Sequence, residues 1–118
     1  FGGKDYTRAE NAYKAGLQAL APEDEVHTYN LSAYLRFHYA ALLANLDGDK
    51  RKADIAAILK PVVNPPSFIQ SFPLSFYEFL KNETSHEHDV NGHKKDILKL
   101  IRLVPEFGTF LRGRGIVF

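Results

Sequence analysis

From residue 6 to 21, Tyr6, Ala9, Ala12, Tyr13, Gly16, Leu17 and Leu20 recur at spacings of three and four, while Arg8, Glu10, Lys14 and Gln18 fall between them. That period gives a helix one apolar face and one wet face, and Pro22 closes it. Thr7 followed by Glu10 has the form of a capping box, with Asp5 competing for the N-cap. A second helix is predicted over 25–46. Its stripe is Leu31, Tyr34, Leu35, His38, Leu42 and Leu46, broadened by Phe37, Ala41 and Ala44, and so wide an apolar surface is expected to pack on two sides. Asp47-Gly48-Asp49 then supplies a turn, with Gly48 free to be left-handed and Asp49 placed to cap a third helix over 50–60. The core face of that helix reads as Ala53, Ile55, Ala56, Ile58 and Leu59, and Pro61, Pro65 and Pro66 limit its continuation.

The second half changes character. Asn64-Pro65-Pro66 breaks the chain, and Phe68, Phe72, Phe76, Tyr77 and Phe79 crowd into a short segment. A turn before Pro73 and a helix over 74–82 are predicted, with Pro73 near the first helical position. Residues 84–92 are polar and rich in turn formers, and read as an exposed loop. A further helix is predicted over 93–104, with Ile97, Leu98, Leu100, Ile101 and Val104 on one face and Lys95, Lys99 and Arg102 on the other, ended by Pro105. For residues 107–118 the pattern leaves a short helix and an extended segment equally open. The expectation is therefore an all-α domain over 1–118 with about five helices. Residues 5–62 form antiparallel helical pairs, 67–104 a phenylalanine-rich second layer, and 105–118 a tail.

Composition narrows this further. With 45% hydrophobic and 13% aromatic residues, 118 residues suffice for one real core, which argues against disorder. The net charge of +1 gives no global pull toward nucleic acid or anionic membrane, so any charged partner is recognised locally. The absence of cysteine excludes disulfides and thiolate metal sites, and no apolar run approaches the roughly 20 residues of a membrane span. A chain that opens at Phe1 and contains no methionine reads as a processed product or part of something longer.

Gly3, Tyr6, Ala9, Tyr13 and Leu17, followed by Leu20-Ala21-Pro22-Glu23-Asp24, resemble the second helix of a tetratricopeptide repeat and its exit. In that family a small residue at the Ala9 position lets two helices approach, an aromatic at the Tyr13 position fills the gap between repeats, and a proline ends the unit. Tyr29-Asn30-Leu31 is similar to the start of the next first helix, and Gly48-Asp49 with Ala53 to the turn and small residue of its partner. The resemblance covers residues 3–62 and implies helical pairs that present a surface to a peptide or subunit. From Ala9 to Ala53 the spacing is 44 residues, longer than the tetratricopeptide period of about 34 and nearer that of HEAT-like pairs.

Candidate chemistry is sparse. His86, His88 and His93 stand within eight residues alongside Glu87 and Asp89, a donor set suited to zinc, copper or nickel, although a solvated polar loop has the same composition. Asp47, Asp49 and Asp54 resemble the beginning of a calcium loop only in part, since Lys50, Arg51 and Lys52 occupy positions where oxygen ligands are needed, and a turn is expected. Lys94, Lys95, Lys99, Arg102, Arg112 and Arg114 form a basic set that suits phosphate or an acidic peptide, or simply a solvated face. Asn30-Leu31-Ser32 and Asn82-Glu83-Thr84 match the glycosylation sequon. His38, on the apolar stripe, reads as a hydrogen-bonded core histidine, and no nucleophile stands in a recognisable elbow. The expected function is a non-enzymatic protein-binding or assembly module without a cofactor, contacting a protein or peptide through Asn30, Tyr34 and Arg36, with nucleic acid disfavoured. Two alternatives stand beside it: a metal-binding protein using His86, His88 and His93, and a structural subunit whose aromatic tail is buried against a neighbour.

Overall fold

The computed structural model describes residues 3–22 and 24–118, with side chains from Tyr6 onward; Glu23 of the proline exit and the side chain of Asp5 lie outside the described residues. Among the described residues six α-helices follow one another: α1 Gly3–Leu20, α2 Val26–Leu46, α3 Lys52–Val63, α4 Ser75–Ser85, α5 His93–Leu103 and α6 Pro105–Gly113, with a 3-10 turn at Gly48–Arg51 before α3. No strand occurs among the described residues, so the all-α expectation holds. The sixth helix is the tail. Pro105 both ends α5 and starts α6, where its missing N–H is no loss and its fixed φ suits the first turn.

α2 is the axis of the fold. It touches α1, α3, α4 and α5, whereas α6 packs on α5 and α3. α1 runs antiparallel to α2: the Tyr6 hydroxyl reaches Asp47 at the end of α2, Tyr13 stacks on Tyr39 with centroids 5.5 Å apart, and Gly16 faces Leu35. α3 is antiparallel to α2 on another side, through Tyr29 to the Pro61 carbonyl and Arg36 to that of Ile58. α4 and then α5 follow α2 in its own direction, α4 beside Asn30, Tyr34 and Phe37, α5 beside His38 and Asn45.

The stripe expected to seat α2 is displaced. Leu31 and Leu46 are 39% and 38% exposed, and Tyr34, Leu35, His38 and Leu42 are half-buried. The fully buried side is Tyr29, Ser32, Ala33, Phe37, Tyr39, Ala40, Ala41, Leu43 and Ala44. Small residues there let neighbouring helix backbones close in, while three large aromatics fill the gaps; a helix packed on four neighbours needs that mixture more than leucine. Ala12, Ala53 and Leu98, also expected in the core, are exposed.

Several boundaries shift for local reasons. α1 begins at Gly3, so Thr7 lies inside it and does not cap it; Glu10 meets Arg51 and the Tyr6 hydroxyl one turn earlier. Asp49 does not cap α3, which starts at Lys52 after the 3-10 turn, but Gly48 is left-handed at φ 54° as the turn requires. α3 carries Pro61 in its last turn, where one lost N–H is tolerated; its own carbonyl, four residues before Pro65, meets no helical N–H there and accepts from the Tyr29 hydroxyl. α4 extends to Ser85 because the buried Thr84 hydroxyl bonds back to the carbonyls of Leu80 and Lys81.

Candidate functional site

Asn30, Tyr34 and Arg36 do not share one face. Asn30 Oδ1 accepts the backbone N–H of Phe76 at 3.0 Å, satisfying a free donor in the first turn of α4, where Leu74 provides no side-chain cap. The Tyr34 ring lies edge-on to Phe76 at 5.3 Å and against Phe79 at 5.4 Å, and burial pushes its phenol pKa up. Arg36 turns to the other side of α2, where Nη1 donates to the Ile58 carbonyl at 3.0 Å. These side chains hold α3 and α4 onto α2 from within. The Asn30 sequon is likewise internal, since Ser32 is buried, and the Asn82 sequon lies inside α4 with its Thr84 buried.

His86 and His93 converge on Glu83, with Nδ1 of His86 3.5 Å from Oε2 and Nδ1 of His93 3.2 Å from Oε1, the latter poorly aligned for a hydrogen bond. His88 stays exposed in the loop. Among the described residues no group of three or more histidine, aspartate or glutamate side chains is arranged to hold a metal ion. His93 instead turns into an aromatic cluster, 5.1 Å from Phe79 and 5.8 Å from His38 between ring centroids. Burial first, and then the charge of His93, push the His38 pKa down, while Asp96 pulls it up. The residue that organises this loop is Asp89, which the histidines overshadow in the sequence. Its two carboxylate oxygens accept the N–H groups of Lys94 and Lys95 at 3.0 and 2.9 Å, and Gly92 at φ 75° turns the chain into α5. Those N–H donors, the Lys95 bond foremost, hold the Asp89 carboxyl below its ordinary range.

Arg51 forms the densest polar cluster. Its guanidinium donates to Asp54 at 2.6 Å, to the Tyr6 hydroxyl and to Glu10 at 3.2 Å, and lies 3.9 Å from Asp47. Those bonds tie α1 to the α2–α3 turn. Desolvation and the bond to Asp47 push the Tyr6 phenol up to about 12, and the Asp54 bond raises the guanidinium further above its already high value. Asp47 and Asp54 therefore both face Arg51, and Asp49 faces Arg102 at 3.7 Å, so the three carboxylates are turned to cationic side chains as a turn requires and a calcium loop does not. The basic set of α5 is similarly engaged: Lys99 donates to Asn45 at 2.9 Å and Lys94 to the His86 carbonyl at 3.5 Å.

What the fold leaves open is a groove along α3. Its upper part, about 610 Å³, lies between Ala53 and Ala56 of α3 and the α5–α6 junction at Leu103, Val104 and Pro105. Two depressions of about 280 Å³ each continue it past Ala57 and Lys60 to Asn64, Thr109 and Phe110, sharing Ala56, Val63 and Glu106 as common walls. Alanines make the floor low enough for another backbone to approach. Lys50, Lys52 and Lys60 stand along the edge, and none has a carboxylate partner among the described residues. No helix of the described residues is long and apolar enough to cross a membrane. Comparison with protein-family models, with curated proteins and with solved structures finds no match for the chain.

Proposed function

We propose that the protein is a non-enzymatic interaction or assembly module that receives an acidic segment of a partner protein along α3. The groove carries this reading: an alanine floor flanked by three lysines that no carboxylate of the described residues answers. Lys52 and Lys60 are two helical turns apart, about 12 Å, so an acidic helix with carboxylates at the same spacing meets both. Asp49 is paired with Arg102, and Glu106 on the opposite wall offsets only one of the three lysines, so the groove is net basic. Helical pairs with such open faces commonly work by binding segments of other proteins.

A synthetic amphipathic peptide of Glu-Ala-Leu repeats, titrated into isotopically labelled protein, tests it. Amide shifts are expected to concentrate on α3 and on residues 103–110, and to vanish in the Lys50→Glu/Lys52→Glu/Lys60→Glu variant at unchanged circular dichroism. Shifts scattered over all helices, or equal binding by the triple variant, refute the reading.

A further inference from the structure

A second surface, separate from the groove, is built where the loop before α4 meets the segment after α6. Arg114 joins them: Nη1 donates to the Gln70 carbonyl at 2.6 Å, Nη2 to that of Phe72 at 3.1 Å, and the guanidinium lies 4.1 Å from the centroid of the Tyr77 ring. The loop is thereby fixed against the α6 exit. On it Phe68 and Phe72 are 39% and 47% exposed, and after α6 Val117 and Phe118 are 81% and 38% exposed. Among the described residues, four of the eight exposed large apolar side chains thus lie on two segments that Arg114 ties together.

Charge separates this surface from an ordinary sticky patch. Residues 61–77 carry no charge of either sign, and residues 107–118 carry Arg112 and Arg114 but no acid. Among the described residues neither arginine has a carboxylate partner; Arg112 rests over the Phe118 ring at 4.9 Å from its centroid, its charge still facing water. From these segments we infer that this end of the molecule is a contact site for an anionic lipid surface, with Phe68, Phe72, Val117 and Phe118 entering the interfacial layer and Arg112 meeting headgroup phosphate or carboxylate.

The balance of area and charge favours lipid over a protein occupant. Four partly exposed side chains offer on the order of 300–400 Å² of apolar surface, taking roughly 200 Å² for a whole aromatic side chain. A stable protein interface buries about 800 Å² on each partner. Shallow insertion into an interface needs no complementary wall, and aromatic rings that bury one part while the rest stays wet suit that layer. The overall charge of +1 makes such binding local, with a strong dependence on anionic lipid and on salt. Arg114 is the positioning residue, since its side chain already holds the loop.

The chain contains no tryptophan, so Phe72→Trp installs a single reporter at the most exposed of the three phenylalanines. With phosphatidylcholine/phosphatidylserine vesicles, its emission is expected to shift to the blue and to be quenched by brominated acyl chains. Phosphatidylcholine alone should leave it nearly unchanged. In sedimentation, Arg112→Ala should lower the vesicle-bound partition coefficient about fivefold, the effect of one basic residue near an anionic surface. Phe68→Ser/Phe72→Ser should abolish binding while circular dichroism stays native. Equal partitioning onto both vesicle types, no emission shift on either, or undiminished binding of the folded double variant would overturn the proposal. Emission that responds to the acidic peptide and not to vesicles would assign the patch to a protein contact and overturn it as well.

Discussion

Replacing Arg51 by alanine removes the clasp between α1 and the rest of the fold, and its cost can be worked from the geometry. Asp54 is 59% exposed, so its bond contributes at most a surface pair's worth, about 0.5 kcal/mol. Glu10 matters more, because its side chain is 14% exposed and loses its close guanidinium while keeping its charge, with the exposed Lys14 at 3.5 Å and the Tyr6 hydroxyl at 3.3 Å left beside it. A half-desolvated carboxylate in that position costs about 1–2 kcal/mol, below the 3–5 kcal/mol of a fully buried broken pair. The sum is about 2 kcal/mol, which for a domain of this size lowers Tm by about 8 °C. The loss should also be local. α1 has no fully buried side chain among the described residues and packs chiefly on α2, so its amides should lose exchange protection before those of α2. Arg51→Lys should recover only part of the loss, because an ammonium cannot serve three acceptors with a planar fork. Urea unfolding followed by circular dichroism, with hydrogen exchange resolved by residue, measures both effects. A loss under about 0.5 kcal/mol, or one spread evenly over all helices, would refute the reasoning and reduce the cluster to solvent-screened pairs.

Two further outcomes follow from close approaches and from titration. At Gly108 an added Cβ would stand 2.9 Å from Ile101 Cγ2, a methyl on a β-branched carbon whose χ1 is stiff, so Gly108→Ala should cost about 1–3 kcal/mol. At Gly16 the nearest atom is the mobile Cδ1 of half-buried Leu35 at 3.1 Å, and Gly16→Ala should be neutral or stabilising by up to about 1 kcal/mol through helix propensity. Thermal melts of the pair decide it, and the reverse order of stabilities would contradict the α5–α6 contact. At alkaline pH, the Tyr6 phenol is raised from 10 to about 12, so the neutral form is favoured in the fold. Its contribution is therefore fully present below pH 10 and lost as pH rises through about 12. Difference absorbance between wild type and Tyr6→Phe should show a tyrosinate step near that value, and a step at the ordinary tyrosine pKa would remove Tyr6 from the clasp.

The helices themselves were largely legible, because period and punctuation are local properties: Gly48 at the turn, His93 at the start of α5 and Pro105 at its end lie where the pattern puts them. The seating of α2 was not. Periodicity alone ranks Leu31, Leu42 and Leu46 as core, yet a helix enclosed by four others is apolar nearly all round, and its orientation depends on which neighbours need close backbones. That information resides in α1, α3, α4 and α5 jointly. The tail was undecided for a related reason, since Phe107, Leu111 and Ile116 become buried only against α3 and α5.

The candidate site was hidden by the same logic in reverse. Residue types that advertise chemistry draw the eye, but a folded chain must first satisfy its own donors, acceptors and charges. Asn30 accepts from the first turn of α4, Arg36 donates to the Ile58 carbonyl of α3, and Lys99 donates to Asn45. What stays open is a floor of alanines on α3 and, beside it, lysines that form no ion pair among the described residues. Ala53 illustrates the point. Its small side chain suggests helix packing, yet it lines an open groove that no helix of the described residues occupies. A small residue at helical spacing therefore specifies close approach without specifying whose backbone approaches, and along α3 no helix among the described residues supplies that second term.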